Sequence, residues 1–308
     1  MKNIKFLLLS AILIGFNACN EPEDIVELPE NVVLPELTSG DADFSNFVSI
    51  GNSLTAGFTD GALFIAAQEN SFPNILAEKF SLVGGGAFTQ PLMNDNFGGL
   101  AVGGTRITSP RLVFGGSGPV PLESVIGAVT VTTDIALNNP TGPFNNMAVP
   151  GAASFHLIAP GYGNLANVSL GLANPYFVRH ATTTTATVIG DAMTKNPTFF
   201  TNWIGANDVL SYATSGGAKA DGMTPAVDHN ATGFINPLAY GGNDITNSNL
   251  FEDTYTNLIN TLTNGGAKGV VCTIPSVTSI PYFTTVPYAP LSPTALGGAT
   301  NIATLNAQ

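Results

Sequence analysis

Positive charge, cysteine and histidine are all scarce in this chain, and each shortage narrows what it can do. Its 308 residues carry 9 Lys and Arg against 21 Asp and Glu, a formal net charge of −12. Past the first 18 residues the balance is 7 against 21, which argues against a nucleic acid partner, because phosphate binding runs on clustered basic side chains. Two cysteines, Cys19 and Cys272, cannot build a disulfide scaffold, and Cys272 has no second cysteine or nearby histidine at a metal-binding spacing. Long apolar runs are lacking too: Phe6 to Phe16 is too short to span a bilayer as a helix.

What the chain has in quantity is glycine and apolar side chains. Hydrophobic residues make up 44%, the mean hydropathy is +0.26 and only 10% of residues are charged, so the chain folds rather than staying disordered. Its 34 Gly and 21 Pro predict long loops between a modest number of regular elements.

The first residues have the layout of a secretory signal: Lys2 and Lys5, then the apolar run, then Asn17-Ala18-Cys19. Phe16-Asn17-Ala18-Cys19 resembles a bacterial lipobox, which implies a signal peptide over 1–18 and lipidation of Cys19. Residues 19–43 then form a tether, with eight acids (Glu21, Glu23, Asp24, Glu27, Glu30, Glu36, Asp41, Asp43) and Pro22, Pro29 and Pro35. An acidic segment after a lipidated cysteine is similar to the surface-export signals of Bacteroidetes lipoproteins. The expectation is a cell-envelope protein held on the outer membrane by its lipid, either periplasmic or surface-exposed. With Cys19 acylated, Cys272 reads as a small buried hydrophobe.

The folded body, 44–308, shows strands alternating with helices. Phe47 to Ile50 is a buried strand broken by Gly51. Ser71 to Phe80 predicts a helix with Ser71 as N-cap and Phe72, Ile75, Leu76 and Phe80 on one face. Residues 84–144 read as a glycine-rich insertion, with short strands near Arg111 to Phe114 and Ala128 to Thr132. Asn145 to Val149 is a short strand stopped at Pro150-Gly151, followed by helical material around Ser154 to Ile158. A loose segment runs from Gly161 to Lys195. Thr198 to Ile204 is a strand stopped by Gly205, and 211–248 is a further insertion. Leu250 to Thr263 is a helix with Gly265-Gly266 beyond it, and Lys268 to Ile274 is a buried strand ended by Pro275.

Ser53, Gly151 and Asn207 each fall just after a strand, at the edge where α/β sheets gather their ligands. A serine there can serve as a nucleophile if a base takes its proton, while a glycine N–H and an asparagine amide can stabilise an oxyanion. Gly51-Asn52-Ser53-Leu54 resembles the Gly-Asp-Ser-Leu block of the SGNH or GDSL hydrolases, with Asn52 in place of the aspartate. Gly205-Ala206-Asn207-Asp208 matches that family's Gly-x-Asn-Asp block, and Ala148 to Ala152 resembles the block that supplies a glycine between them. The resemblance implies a flavodoxin-like three-layer α/β sandwich with a parallel sheet. It further implies a serine esterase or lipase that forms an acyl-enzyme on Ser53, with Gly151 and Asn207 as oxyanion donors and no cofactor or metal. The substrate is an ester: an acylated glycan, a lipid or a small acyl ester. Asp208 reads as a structural carboxylate.

The family closes its site with an Asp-x-x-His word, and this sequence has none. The residues three before His156, His180 and His229 are Ala153, Phe177 and Ala226. His156 reads as a turn residue that could line the crevice, while His180 and His229 read as surface residues, so none is assigned as the base. The expectation is a fragment whose C-terminal part, with the Asp-x-x-His block, follows residue 308. The alternative is a surface lipoprotein that keeps the scaffold to bind glycan or lipid, with Phe88, Phe97, Phe114, Tyr162 and Tyr176 available for contact.

Overall fold

The computed structural model describes residues 36–137 and 139–284. The signal-like segment, Cys19 and most of the acidic tether lie outside the described residues. The chain divides into two compact units, Met1–Thr38 and Ser39–Gln308, and the fold described here belongs to the second.

The unit is mixed α/β around a small parallel sheet. Strand β1, Phe47–Gly51, is buried at all five positions, as an unbroken apolar run with covered faces requires. It leads into the one-turn helix α1, Ser53–Ala56, and helix α2 follows at Phe72–Phe80. The 84–144 insertion is not unstructured. It builds two antiparallel hairpins, β2 (Leu100–Val102) with β3 (Thr105–Thr108), and β4 (Leu112–Phe114) with β5 (Pro119–Pro121). The segment expected to be loose contributes helix α3, Val188–Met193, whose Val188, Ile189 and Ala192 enter the core. Strand β6 (Phe199–Trp203), helix α4 (Ser248–Thr263) and strand β7 (Lys268–Val271) complete the set used below.

The sheet order is β1-β6-β7, with all pairs parallel and Gly51 in register with Trp203. On the free side of β1 runs the segment Asn145 to Val149. Ser49 N donates to Asn145 O at 2.8 Å, Met147 N to Ser49 O at 2.9 Å and Val149 N to Gly51 O at 3.0 Å. These are the evenly spaced bonds of a parallel ladder. The segment thus behaves as a fourth, irregular strand, and β1 sits between two neighbours.

Val48, Ile50, Val149, Phe200 and Ile204 from the sheet pack with Leu157, Phe177, Leu258 and Leu262 in the main core. Helix α4 packs on the 3-10 turn Ser154–Ile158 and on α3.

Four expectations need correction. In α2, Ser71 occupies the N-cap position but its hydroxyl donates to Gln90 Oε1 instead of capping, and Ile75 is exposed while Pro73 and Ala77 are buried. Residues 128–132 form no strand; their Thr132 side chain is spent on Asp95. Strand β7 is exposed along its length, with Val270 at 49% and Val271 at 47%, because among the described residues it borders only β6 and ends the sheet. Cys272, just beyond it, is accordingly half-buried rather than buried, though enough is covered to push its thiol pKa up.

Candidate active site

Register places the three candidate residues at one end of the sheet. Val149, Gly51 and Trp203 lie side by side at the C-terminal ends of three adjacent parallel segments. Gly151 and Ser53 come two residues past their strand ends, and Asn207 four residues past its own.

Gly51 lets β1 turn into α1. A Cβ on it would stand 2.8 Å from the Trp203 carbonyl oxygen and equally close to Thr55 Cβ. Asn52 is buried and caps α1, its Oδ1 accepting from Leu54 N at 3.3 Å. The amide thus retains the acceptor that a capping aspartate would supply. Ser53 itself is half-buried, and among the described residues its Oγ has no hydrogen-bond partner.

Gly151 has φ of +81°, a backbone that disfavours side chains, and it is exposed. The turn before it is held by Asn174, whose Nδ2 donates to Pro150 O at 2.8 Å. Gly205, at φ of +119°, makes the matching turn after β6, where a Cβ would meet Ile274 Cδ1 at 2.5 Å. Asn207 Nδ2 donates to Ala152 O at 2.9 Å, which ties the two turns together and leaves one amide hydrogen uncommitted. Asp208, expected to be structural, is buried and accepts from Ser154 N at 2.8 Å and from Ser154 Oγ at 2.7 Å. Burial pushes its carboxyl above the usual range despite these bonds.

Beside the two turns opens a cleft of about 300 Å³, bordered by Gly151, Asn207, Phe155, His156, Tyr162 and Tyr240. Ser53 does not border it. The structure therefore joins Gly151 to Asn207 in one cleft and puts Ser53 on the adjacent strand end, outside the cleft wall.

No described histidine serves Ser53. His156 borders the cleft, but its Nδ1 accepts from Ala153 N at 3.0 Å and its ring is stacked on Tyr162 at 4.5 Å. The neutral ring then carries its proton on Nε2, as a donor and not a base. Burial holds its pKa down at about 4. His180 and His229, expected at the surface, are both buried. His180 sits edge-on to Phe144 and Phe177, and burial with the nearby Arg179 charge drives its pKa to about 3. His229 pairs through Nε2 with Asp244 Oδ2 at 2.9 Å and lies flat against Tyr240 at 3.7 Å. Thr232 Oγ1 stands 3.4 Å from its other nitrogen, so the residue braces the 211–248 insertion.

Asn174, Asp244 and Tyr240 shape this end of the molecule without having been found in the sequence. The Asn174-Pro175 pair was the one available signal, since asparagine before proline marks a helix start. Among the described residues no group of His, Cys, Asp and Glu could hold a metal ion. Comparison of the chain with protein-family models, curated proteins and solved structures returns no match.

Proposed function

We propose that the protein is a serine hydrolase of carboxylic esters on an SGNH-like three-layer α/β scaffold, carried on the outer membrane by a lipid on Cys19. The observation that carries this reading is the alignment of Ser53, Gly151 and Asn207 past adjacent parallel strand ends, with Asn207 bonded to the Gly151 turn. In this mechanism Ser53 Oγ attacks the ester carbonyl and its proton leaves to a base. The Ser53 N–H, the Gly151 N–H and the free Asn207 amide hydrogen receive the developing oxyanion. Loss of the alcohol leaves an acyl-enzyme on Ser53, which water then cleaves. The substrate is an acylated glycan, a lipid or a small ester.

A second reading, a lipoprotein that binds glycan or lipid without turnover, is favoured by one observation: the aromatic-walled cleft stands beside Gly151 and Asn207 but not beside Ser53. Fluorophosphonate labelling of the protein expressed from its complete reading frame separates the two. Covalent labelling that disappears in Ser53→Ala supports the hydrolase. A protein that remains unlabelled, or one that labels equally well as Ser53→Ala, removes that reading.

A further inference from the structure

Arg179 is the least expected charge in the molecule. It is 1% exposed, directly follows the helical turn Pro175–Val178, and among the described residues has no carboxylate partner. Among the described residues the ion pairs are Arg106 with Glu123 and His229 with Asp244. One nitrogen, Nη2, donates to the carbonyls of Leu92 at 2.6 Å and Pro91 at 3.3 Å, while Nε is buried with nothing to receive its hydrogen. The adjacent His180 also has a buried Nδ1 with no partner. An unneutralised guanidinium in the interior is costly, and a buried donor without an acceptor adds to that cost. Burial lowers the Arg179 pKa to about 10, which still leaves the group charged at neutral pH.

Both residues line a small space of about 10 Å³, walled mostly by buried residues, together with Gln68, Asn146 and Tyr176. The two amides are already committed. Gln68 Oε1 accepts from Met93 N and its Nε2 donates to Pro91 O, while Asn146 Oδ1 accepts from Ala148 N and its Nδ2 donates to Thr55 O and Gln90 Oε1. What the space lacks is a negative charge and a partner for Arg179 Nε and His180 Nδ1. The centre of a water-sized guest can range over about 10 Å³ there, which admits one monatomic ion or one water.

We propose that this cavity is a buried halide site, in which one chloride ion accepts from Arg179 Nε and from His180 Nδ1 and neutralises the guanidinium. The ring tautomer with its proton on Nδ1 supplies the second donor. Ala56, Ala148 and Pro150 also line the cavity, so the ion would lie beneath the two turns that carry Ser53 and Gly151. The site does not depend on the hydrolase reading.

Crystals grown with bromide replacing chloride, and measured at the bromine absorption edge, test the site in the unaltered protein. An anomalous peak within hydrogen-bonding reach of Arg179 Nε supports it; a cavity with no anomalous signal overturns it and leaves a water there. In solution, Tm should rise with chloride concentration relative to gluconate at matched ionic strength, because an ion bound to the folded state alone stabilises it by mass action. Arg179→Met should abolish that difference. Equal Tm values for the unaltered protein in the two salts over the whole concentration range would count against the site.

Discussion

At the scale of single residues, Asn207 has two tasks that one amide can perform together. One hydrogen goes to Ala152 O and fixes the side chain; the other is free for an oxyanion. Asn207→Ala should therefore lower kcat toward an ester by about 10²–10³-fold, the usual cost of one oxyanion donor, with little change in KM. Steady-state kinetics check this, and a change confined to KM would assign Asn207 to ground-state binding. His156 makes a different prediction. Its folded pKa of about 4 lies below the ordinary value of 6.5, so the unfolded chain binds the extra proton first. Its contribution is complete above pH 6.5 and is lost as pH falls toward 4, on the order of 3 kcal/mol over that interval. His156→Gln, whose carbonyl can still accept from Ala153 N–H, should flatten the urea-measured stability between pH 6.5 and 4. An unchanged slope would mean that the folded ring takes up its proton over the same pH range as in the unfolded chain.

At the scale of elements, Gly51 shows why the β1 to α1 turn needs its glycine. The added methyl of Gly51→Ala would press on the Trp203 carbonyl, a backbone atom of the neighbouring strand that cannot rotate away. The expected loss is about 1–3 kcal/mol in a urea titration, the usual cost of overpacking, and an unshifted midpoint would show that the strands can part there. The glycine was legible in the sequence because it ended an apolar run, and so were β1, β6 and α4, whose hydrophobic patterns agree with their burial. The segment Asn145 to Val149 was read as a strand and makes a strand's ladder bonds to β1, though its pairing is irregular. Other features were not legible, for reasons that differ. Strand β7 has the composition of a buried strand, but composition does not report that it ends the described sheet. Of the hairpin strands, β4 falls where a short strand was expected near Arg111 to Phe114, while β2, β3 and β5 are three or four residues long and flanked by glycines or prolines, too short for any period to emerge. His229 looked like a surface residue because its partner Asp244 lies 15 positions away, and only the fold of the insertion brings them together. The candidate site was more readable than the insertions because it depends on strand ends, which glycine and proline punctuate. The cleft wall comes from Phe155, Tyr162 and Tyr240, whose meeting no local pattern announces.

At the scale of the whole molecule, the proposal of a membrane-held protein has to be squared with its acidity. With 7 basic against 21 acidic residues past position 18, its field repels anionic lipid surfaces rather than seeking them. Among the described residues no helix is long and apolar enough to cross a bilayer. The proposed membrane residence rests on a covalent lipid, whose chains contribute about 0.8 kcal/mol per buried CH2 and hold best when more than one is attached. In the proposal Cys19 carries the lipid, and the acid-rich stretch after it is repelled by an anionic surface. In cell fractionation the unaltered protein should pellet with membranes, resist extraction by high salt and dissolve in detergent. Cys19→Ala should move most of it to the soluble fraction while leaving the melting curve of the folded unit unchanged, because the substitution lies outside that unit. Release of the unaltered protein by salt alone would point to an ionic attachment and remove the lipid anchor from the proposal.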